Sequence, residues 1–259
     1  MTPTKDFATE GGHWYAKTGE PRYTIIGANG KERPTTLWDA RKLSLVPSVT
    51  TITKILDRPG LKPYFRKQMF EASLTTPRPA GMTDTDFFNE CCKWADEHAS
   101  LAAAAGTRVH GEIEKYIQGK PVDPDLWQHV NHVEIELEKV GVDLKAGRSE
   151  RSFAHVDGFG GKIDFSTDTV IVDFKTKPVI GDKQSKDFVY DEHCCQLAAY
   201  AHGMGIVAPR CLNVFVSVLD ARVVVYEWNP VEIGKGLEMF KCCLRLWQLK
   251  NNYLPNPSA

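Results

Sequence analysis

The stretch that most constrains this chain runs from Gly161 to Thr176. Apolar and polar residues alternate from Lys162 to Phe165, Thr167-Asp168 supply a turn signal, and the β-branched run Val170-Ile171-Val172 follows, so the segment reads as a β-hairpin. Because side chains in a strand alternate with a period of two, the register of such a hairpin decides which of them share a face. A two- or four-residue loop is expected to set Asp164 opposite Ile171, with Asp173 one diagonal step away on the same face. Diagonal neighbours lie about 7–8 Å apart at the backbone, so two aspartate arms can grip one divalent ion. Lys175, two residues beyond Asp173, belongs to that face as well.

Around the hairpin the pattern predicts further strands at about 147–155, 212–219 and 222–228, a helix at about 187–202, and a last helix after Pro230. Upstream, residues 1–46 read as short strands and turns, with Gly27-Ala28-Asn29-Gly30 as the clearest hairpin signal. Pro47-Ser48-Val49-Thr50 opens a helix that Ser48 caps, and a second helix starts at Lys62-Pro63 and ends near Ser73. Thr83 with Asp86 forms a capping box for a helix running toward Ala105, where Gly106 is expected to break it. A further helix then carries Val109, His110, Ile113, Glu114 and Ile117, and Asp123-Pro124 starts another that ends at Gly141. The order helix, three strands, helix, two strands, helix predicts an α/β fold with a mixed central sheet flanked by helices. The expected organisation is a β-rich extension over 1–46 and one domain over 47–259, divided into a helical arm (47–105), a core (106–228) and a C-terminal helix (229–259).

A chain of 259 residues with 42% hydrophobic content suits a water-soluble globular protein. No window holds the roughly 18 uncharged apolar residues of a spanning helix, and the polar segment Met1 to Gly12 lacks a signal-peptide core, so an intracellular, cytoplasmic protein is expected with no membrane partner. The 7 cysteines lack any CxxC spacing, which argues for reduced and mostly buried thiols. A net charge of −1 selects no partner by itself, but its distribution is uneven. Lys54, Arg58, Lys62, Arg66, Lys67 and Arg78 face only Asp57 and Glu71 over that stretch, with Tyr64 and Phe65 interleaved. Such a segment can track a phosphate backbone and stack bases, although an ordinary charged surface has the same composition. From Glu112 to Asp143 acids predominate, as on a solvated helical face.

Asp164 and Asp173 are hard oxygen donors of the kind Mg²⁺ or Mn²⁺ prefers. An ion held by one or two carboxylates keeps waters available for reaction, and the Phe174 carbonyl between the two side chains of Asp173 and Lys175 could complete its shell. His110 sits on the preceding helix with Glu114 one turn later; Gln196 and Tyr200 stand four apart on the following one. Taken singly, a D-x-K triplet on a sheet edge, a helical histidine and a Gln/Tyr pair are usually solvated or core residues. Their order in one chain, His-bearing helix, GxxD strand, DxK strand and QxxxY helix, is what points to a site.

These pieces resemble the PD-(D/E)XK nuclease superfamily, and within it the RecB-like, phage-type exonuclease branch. The resemblance rests on Gly106-Thr107-Arg108-Val109-His110 with Glu114, Gly161 to Asp164, Asp173-Phe174-Lys175-Thr176, and Gln196 to Tyr200. Pro47-Ser48-Val49-Thr50-Thr51-Ile52 is similar to the segment before the nuclease core in phage-type and mitochondrial genome maintenance exonucleases. The resemblance implies a restriction-endonuclease-like core and Mg²⁺- or Mn²⁺-dependent hydrolysis of DNA in recombination, replication or repair. By position it makes His110, Asp164, Asp173 and the Phe174 carbonyl metal ligands, Lys175 the catalytic lysine, and Gln196 and Tyr200 its support. Glu114 and Glu150 become candidates for an outer role, and Ser48, Lys54, Arg58, Lys62, Tyr64, Arg66 and Lys67 candidates for DNA contact. A phage-encoded protein would work in the host cytoplasm, with a recombination or single-strand-binding protein as partner. No iron–sulfur cluster is expected, since that branch's C-terminal CxxC grouping is missing. The alternatives are a structure-specific endonuclease with the same site and a non-catalytic DNA-binding module on the same scaffold.

Overall fold

The structure, a computed structural model, describes residues 12–56 and 61–255. The N-terminal part holds the short strands β1 (Trp14–Tyr15), β2 (Thr24–Ile26) and β3 (Glu32–Pro34), the helix α1 (Leu37–Leu43), the strand β4 (Val46–Pro47) and the helix α2 (Val49–Thr53). β2 and β3 form the hairpin that the Gly27–Gly30 turn signal predicts, closed by the Gly27 N–H on the Lys31 carbonyl. The sequence reading of 1–46 as strands and turns alone missed α1. Its apolar face is too short to show a helical period, but Thr36 and Asp39 cap it reciprocally and Asp39 is pinned by Arg33 at 2.7 and 2.8 Å. β1 pairs with β4, and Trp14 packs edge-on to Trp247 in the last helix.

Two long helices follow, α3 (Leu61–Thr75) and α4 (Asp84–Ile117), with Thr83 capping the second as its spacing predicts. α4 is one continuous 34-residue helix, so the expected break at Gly106 does not occur. Gly106 serves another purpose: a Cβ there would meet Thr176 Oγ1 at 2.3 Å, so the missing side chain is what lets the helix lie against the sheet. After a 3-10 turn at Pro124–Leu126, α5 (Trp127–Lys139) leads to the central strands β5 (Arg148–His155), β6 (Phe159–Ser166) and β7 (Val170–Lys177). Then come α6 (Asp191–Met204), β8 (Arg210–Ser217), β9 (Val223–Trp228) and α7 (Pro230–Asn251).

The sheet has the order β5-β6-β7-β8-β9, antiparallel throughout except between β7 and β8. A parallel pair needs a crossover, and α6 provides it. The result is the mixed α/β fold with a helix-flanked sheet that the element order predicts. Ile171 and Cys211 pack on one face with Val49, Leu197, Phe240 and Trp247, whereas Val172, Phe174, Leu212 and Val214 pack on the other with Val109, Ile113, Val130 and Leu137. α2, α6 and α7 therefore cover the first face, and α4 and α5 the second. Among the described residues no helix is long and apolar enough to cross a membrane. Five of the cysteines, Cys91, Cys194, Cys195, Cys211 and Cys243, are buried thiols, and none is in a disulfide.

The β6–β7 register corrects the sequence expectation. Ser166 pairs with Ile171 and Phe165 with Val172, so counting back sets Asp164 opposite Asp173, not Ile171. The ladder stops at that point. β6 also loses its simple alternation there, since Ile163 packs with the cluster on the first face and Phe165 with that on the second. The partner position on β5, Glu150, has φ +57°, a conformation rarely adopted by non-glycine residues.

Candidate active site

Where β6 and β7 part, a side chain replaces the ladder. The Phe174 N–H donates to Asp164 Oδ2 at 2.8 Å, so the Asp164 carboxylate lies between the strands. In an extended strand a residue's N–H and C=O point to the same edge, so the Phe174 carbonyl is turned toward the same opening. α4 closes this opening from the second face. Gly106 brings the helix onto β7, and one turn later His110 places Nε2 3.0 Å from Asp164 Oδ2, its ring edge-on to Phe174.

Asp173 is held from the first face. Its Oδ1 accepts from Lys175 Nζ at 3.0 Å and from Gln196 Nε2 at 2.7 Å, while Gln196 Oε1 accepts from Lys175 at 3.1 Å and Gln196 Nε2 also donates to Tyr200 Oη at 2.9 Å. Gln196 and Tyr200 thus converge on the D-x-K strand from one face of α6, as their spacing predicts. Tyr200 fits because Gly161 has no side chain: a Cβ there would stand 2.7 Å from Tyr200 Cε1. A residue the sequence reading missed completes the arrangement. Asn213, fully buried and opposite Asp173 in the parallel ladder, donates from Nδ2 to Asp173 Oδ2 at 2.7 Å and accepts at Oδ1 from Trp228 Nε1 at 2.8 Å. An amide amid the apolar run Cys211 to Val216 was the available signal, because a buried polar group needs partners.

The electrostatics follow from burying two acids and two bases together. Burial pushes Asp173 up, Asp164 adds to the push, and Lys175 only partly offsets it, so its carboxyl is raised to about 6. Burial also raises Asp164, but the hydrogen bond and charge of His110, the Lys175 charge and the Phe174 N–H outweigh it and hold that carboxyl below its ordinary range. Burial works against the charge on Lys175, yet Asp173 and Asp164 hold its pKa above the usual lysine value, so it is an ammonium group. His110 is likewise raised against burial by Asp164. Tyr200, desolvated and facing both carboxylates, is pushed far above a normal phenol and remains a neutral hydroxyl.

The donor set suits a hard divalent cation, because a buried and a largely buried carboxylate, with the charge of Asp164 disfavouring that of Asp173, are what such an ion relieves. The ligand atoms of His110, Asp164 and Asp173 do not all lie within 4.8 Å of one another. Asp173 is instead turned into its own hydrogen bonds with Lys175, Gln196 and Asn213.

The outer candidates fall in different places. Glu114 accepts from Gln118 Nε2, which also donates to Ser149 Oγ. Glu150 pairs with Lys162 beside the parted strands. Ser48 is buried, and its hydroxyl caps α2 by accepting from the Thr51 N–H at 2.9 Å, so it offers no surface for DNA. Lys54, Lys62, Arg66 and Lys67 are exposed, Tyr64 is half-buried against Phe65, and Arg58 lies outside the described residues. The acidic stretch is less solvated than expected, since Glu112 is buried, accepting the Asp123 N–H and pairing with Lys115. The N-terminal segment also reaches the site: Tyr15, 2.6 Å from Tyr23 through their hydroxyls, is raised by burial with smaller contributions from Tyr200 and Asp164. Nothing in the sequence reading connected residues 12–23 to the site.

No protein-family model and no curated protein matches the chain. Among solved structures, it is similar to an alkaline exonuclease (LHK-Exo) from Laribacter hongkongensis at 12% identity, over 84% of this chain and 94% of that one, with a TM-score of 0.42. It is also similar to a protein from Eubacterium rectale described as a putative exonuclease, at 16% identity over 57% of this chain and 68% of that one, with a TM-score of 0.39.

Proposed function

We propose that this chain is a Mg²⁺- or Mn²⁺-dependent deoxyribonuclease that removes nucleotides from DNA ends. The observation that carries the reading is the convergence of Asp164, Asp173 and Lys175 at the point where β6 and β7 separate. Asp164, Asp173, the Phe174 carbonyl and His110 would hold the ion. When bound, it would lower the pKa of coordinated water and neutralise charge developing on the phosphoryl group. Lys175 has two N–H groups engaged by Asp173 and Gln196, which leaves a third for the attacking water or a phosphate oxygen. Gln196, itself anchored to Tyr200, fixes the ammonium group in that position. The exposed bases of α3, Lys62, Arg66 and Lys67, supply a surface for the DNA backbone. The setting is recombination, replication or repair.

The test is digestion of end-labelled single- and double-stranded DNA, RNA, and closed single-stranded circles with Mg²⁺, Mn²⁺ or EDTA. Linear DNA should be degraded, circles spared and EDTA inhibitory. Cleavage of circles would make the protein an endonuclease, and the lack of any metal-dependent cleavage would leave a DNA-binding module. Lys175→Ala should lower kcat by about a hundredfold or more while Mg²⁺ binding persists, and a wild-type rate in that variant would end the mechanism.

A further inference from the structure

Away from the parted strands, a second group of metal-type ligands converges. His155 ends β5, Asp157 lies in the turn to β6, and His202 lies in the last turn of α6. Asp157 Oδ2 is 3.0 Å from His202 Nε2 and 3.3 Å from His155 Nδ1. Among the described residues, these three form the group of His, Cys, Asp or Glu ligand atoms that lie mutually within 4.8 Å. We propose that they bind a divalent transition-metal ion of the zinc class, at a site independent of the proposed nuclease centre.

The spacing fits the chemistry. With zinc–ligand bonds of about 2.0–2.1 Å, neighbouring ligands of a tetrahedral site lie about 3.3 Å apart, close to both contacts of Asp157. Two imidazoles with one carboxylate favour zinc-class ions over Mg²⁺, which prefers oxygen throughout. The rings are also held before any ion arrives. His155 and His202 have ring centroids 4.6 Å apart and both pack on Phe159, which is fully buried, at 5.1 and 6.2 Å. The turn is braced from behind by Gln248 of α7, whose Nε2 donates to the Asp157 carbonyl at 3.4 Å. The Asp157 N–H donates to His155 Nδ1 over a long 3.3 Å, so that nitrogen presents its lone pair toward Asp157, and a metal ion would replace this weak contact. Asp157 is about half exposed, which leaves a fourth position to water.

Such an ion would cross-link the β5–β6 turn to the C-terminal end of α6. That helix carries Gln196 and Tyr200, so the site would anchor the element that positions Lys175. The motif H-x-D with a histidine about 45 residues later spans two elements, and neither part signals a metal site by itself.

The test is calorimetric titration of Zn²⁺ into metal-stripped protein in a large excess of Mg²⁺, followed by thermal unfolding of the same samples. One zinc per chain is expected, with an increase in Tm. His155→Ala and His202→Ala should each weaken binding by at least about tenfold and lose the Tm increase, whereas Asp164→Ala should bind zinc as the wild type does. Crystals of the zinc-bound protein should show anomalous scattering at the zinc edge beside Asp157. No zinc uptake, uptake unaffected by both histidine variants, or uptake lost in Asp164→Ala would overturn the assignment.

Discussion

Replacing Asn213 tests the architecture of the site, because this residue holds Asp173 from a neighbouring strand and belongs to no sequence motif. Asn213→Leu keeps the approximate shape of a fully buried side chain and removes two hydrogen bonds, the donor to Asp173 Oδ2 at 2.7 Å and the acceptor for Trp228 Nε1 at 2.8 Å. A bond to a charged group contributes about 1.5–3 kcal/mol, and the half-buried indole, which water can reach, forfeits about 1 kcal/mol. The added apolar burial returns about 1 kcal/mol, which leaves a net loss of about 1.5–3 kcal/mol. For a chain of this size that corresponds to a Tm lower by roughly 3–12 °C. Lys175 and Gln196 still hold Asp173 Oδ1, so the fold should survive. The decisive measurement is urea unfolding in EDTA and in saturating Mg²⁺, since a cation on the abandoned oxygen would recover part of the loss. A destabilisation below about 1 kcal/mol in EDTA, or an equal loss in both conditions, would refute the assignment of Asn213 as the partner of a metal-binding carboxylate.

Two further substitutions probe how the supporting elements are fixed. Gly106→Ala should destabilise the fold by about 1–3 kcal/mol despite the better helix propensity of alanine, because its Cβ would sit 2.3 Å from Thr176 Oγ1. Adding Thr176→Ala should recover most of that loss in a double-mutant cycle, and strict additivity in urea unfolding would show that the close approach is not the cause. Asp39, buried and held below the usual carboxylate range mainly by Arg33, contributes stability that is complete above the unfolded value near 4 and is lost as pH falls below it. Asp39→Asn should therefore cost about 2 kcal/mol at neutral pH, with the difference from wild type shrinking between about pH 5 and pH 2; a constant difference across that range would contradict the ion-pair account.

The grouping of side chains at the candidate site was legible because its parts are local. D-x-K fixes Asp173 and Lys175 on one strand face, and Q-x-x-x-Y fixes Gln196 and Tyr200 on one helix face, whatever the tertiary arrangement. The readings that failed depend on packing between distant segments. Gly106 has a poor helix propensity, and nothing nearby in sequence announces that Thr176 is the surface it must accommodate. Ser48 became a candidate for DNA contact through the resemblance, yet it bridges to Gly160 and is buried.

The register of the hairpin failed for a more instructive reason. Alternation assumes that two strands remain paired, and here they part at the residue that matters. An uninterrupted β6–β7 ladder would have engaged the Phe174 N–H and carbonyl with β6 backbone and left Asp164 to project from one face. Separation instead leaves that edge of β7 open, so the N–H takes the Asp164 carboxylate, which meets His110 of α4 on one side, while Asp173 is held by Gln196 of α6 on the other. The unusual backbone at Glu150 and the changed facing of residues around Asp164 belong to that same separation. Regular β pairing and a carboxylate seated between two strands are competing uses of the same backbone groups. The location where alternation breaks down is therefore itself evidence for the site, and it becomes visible only when the ladder can be counted.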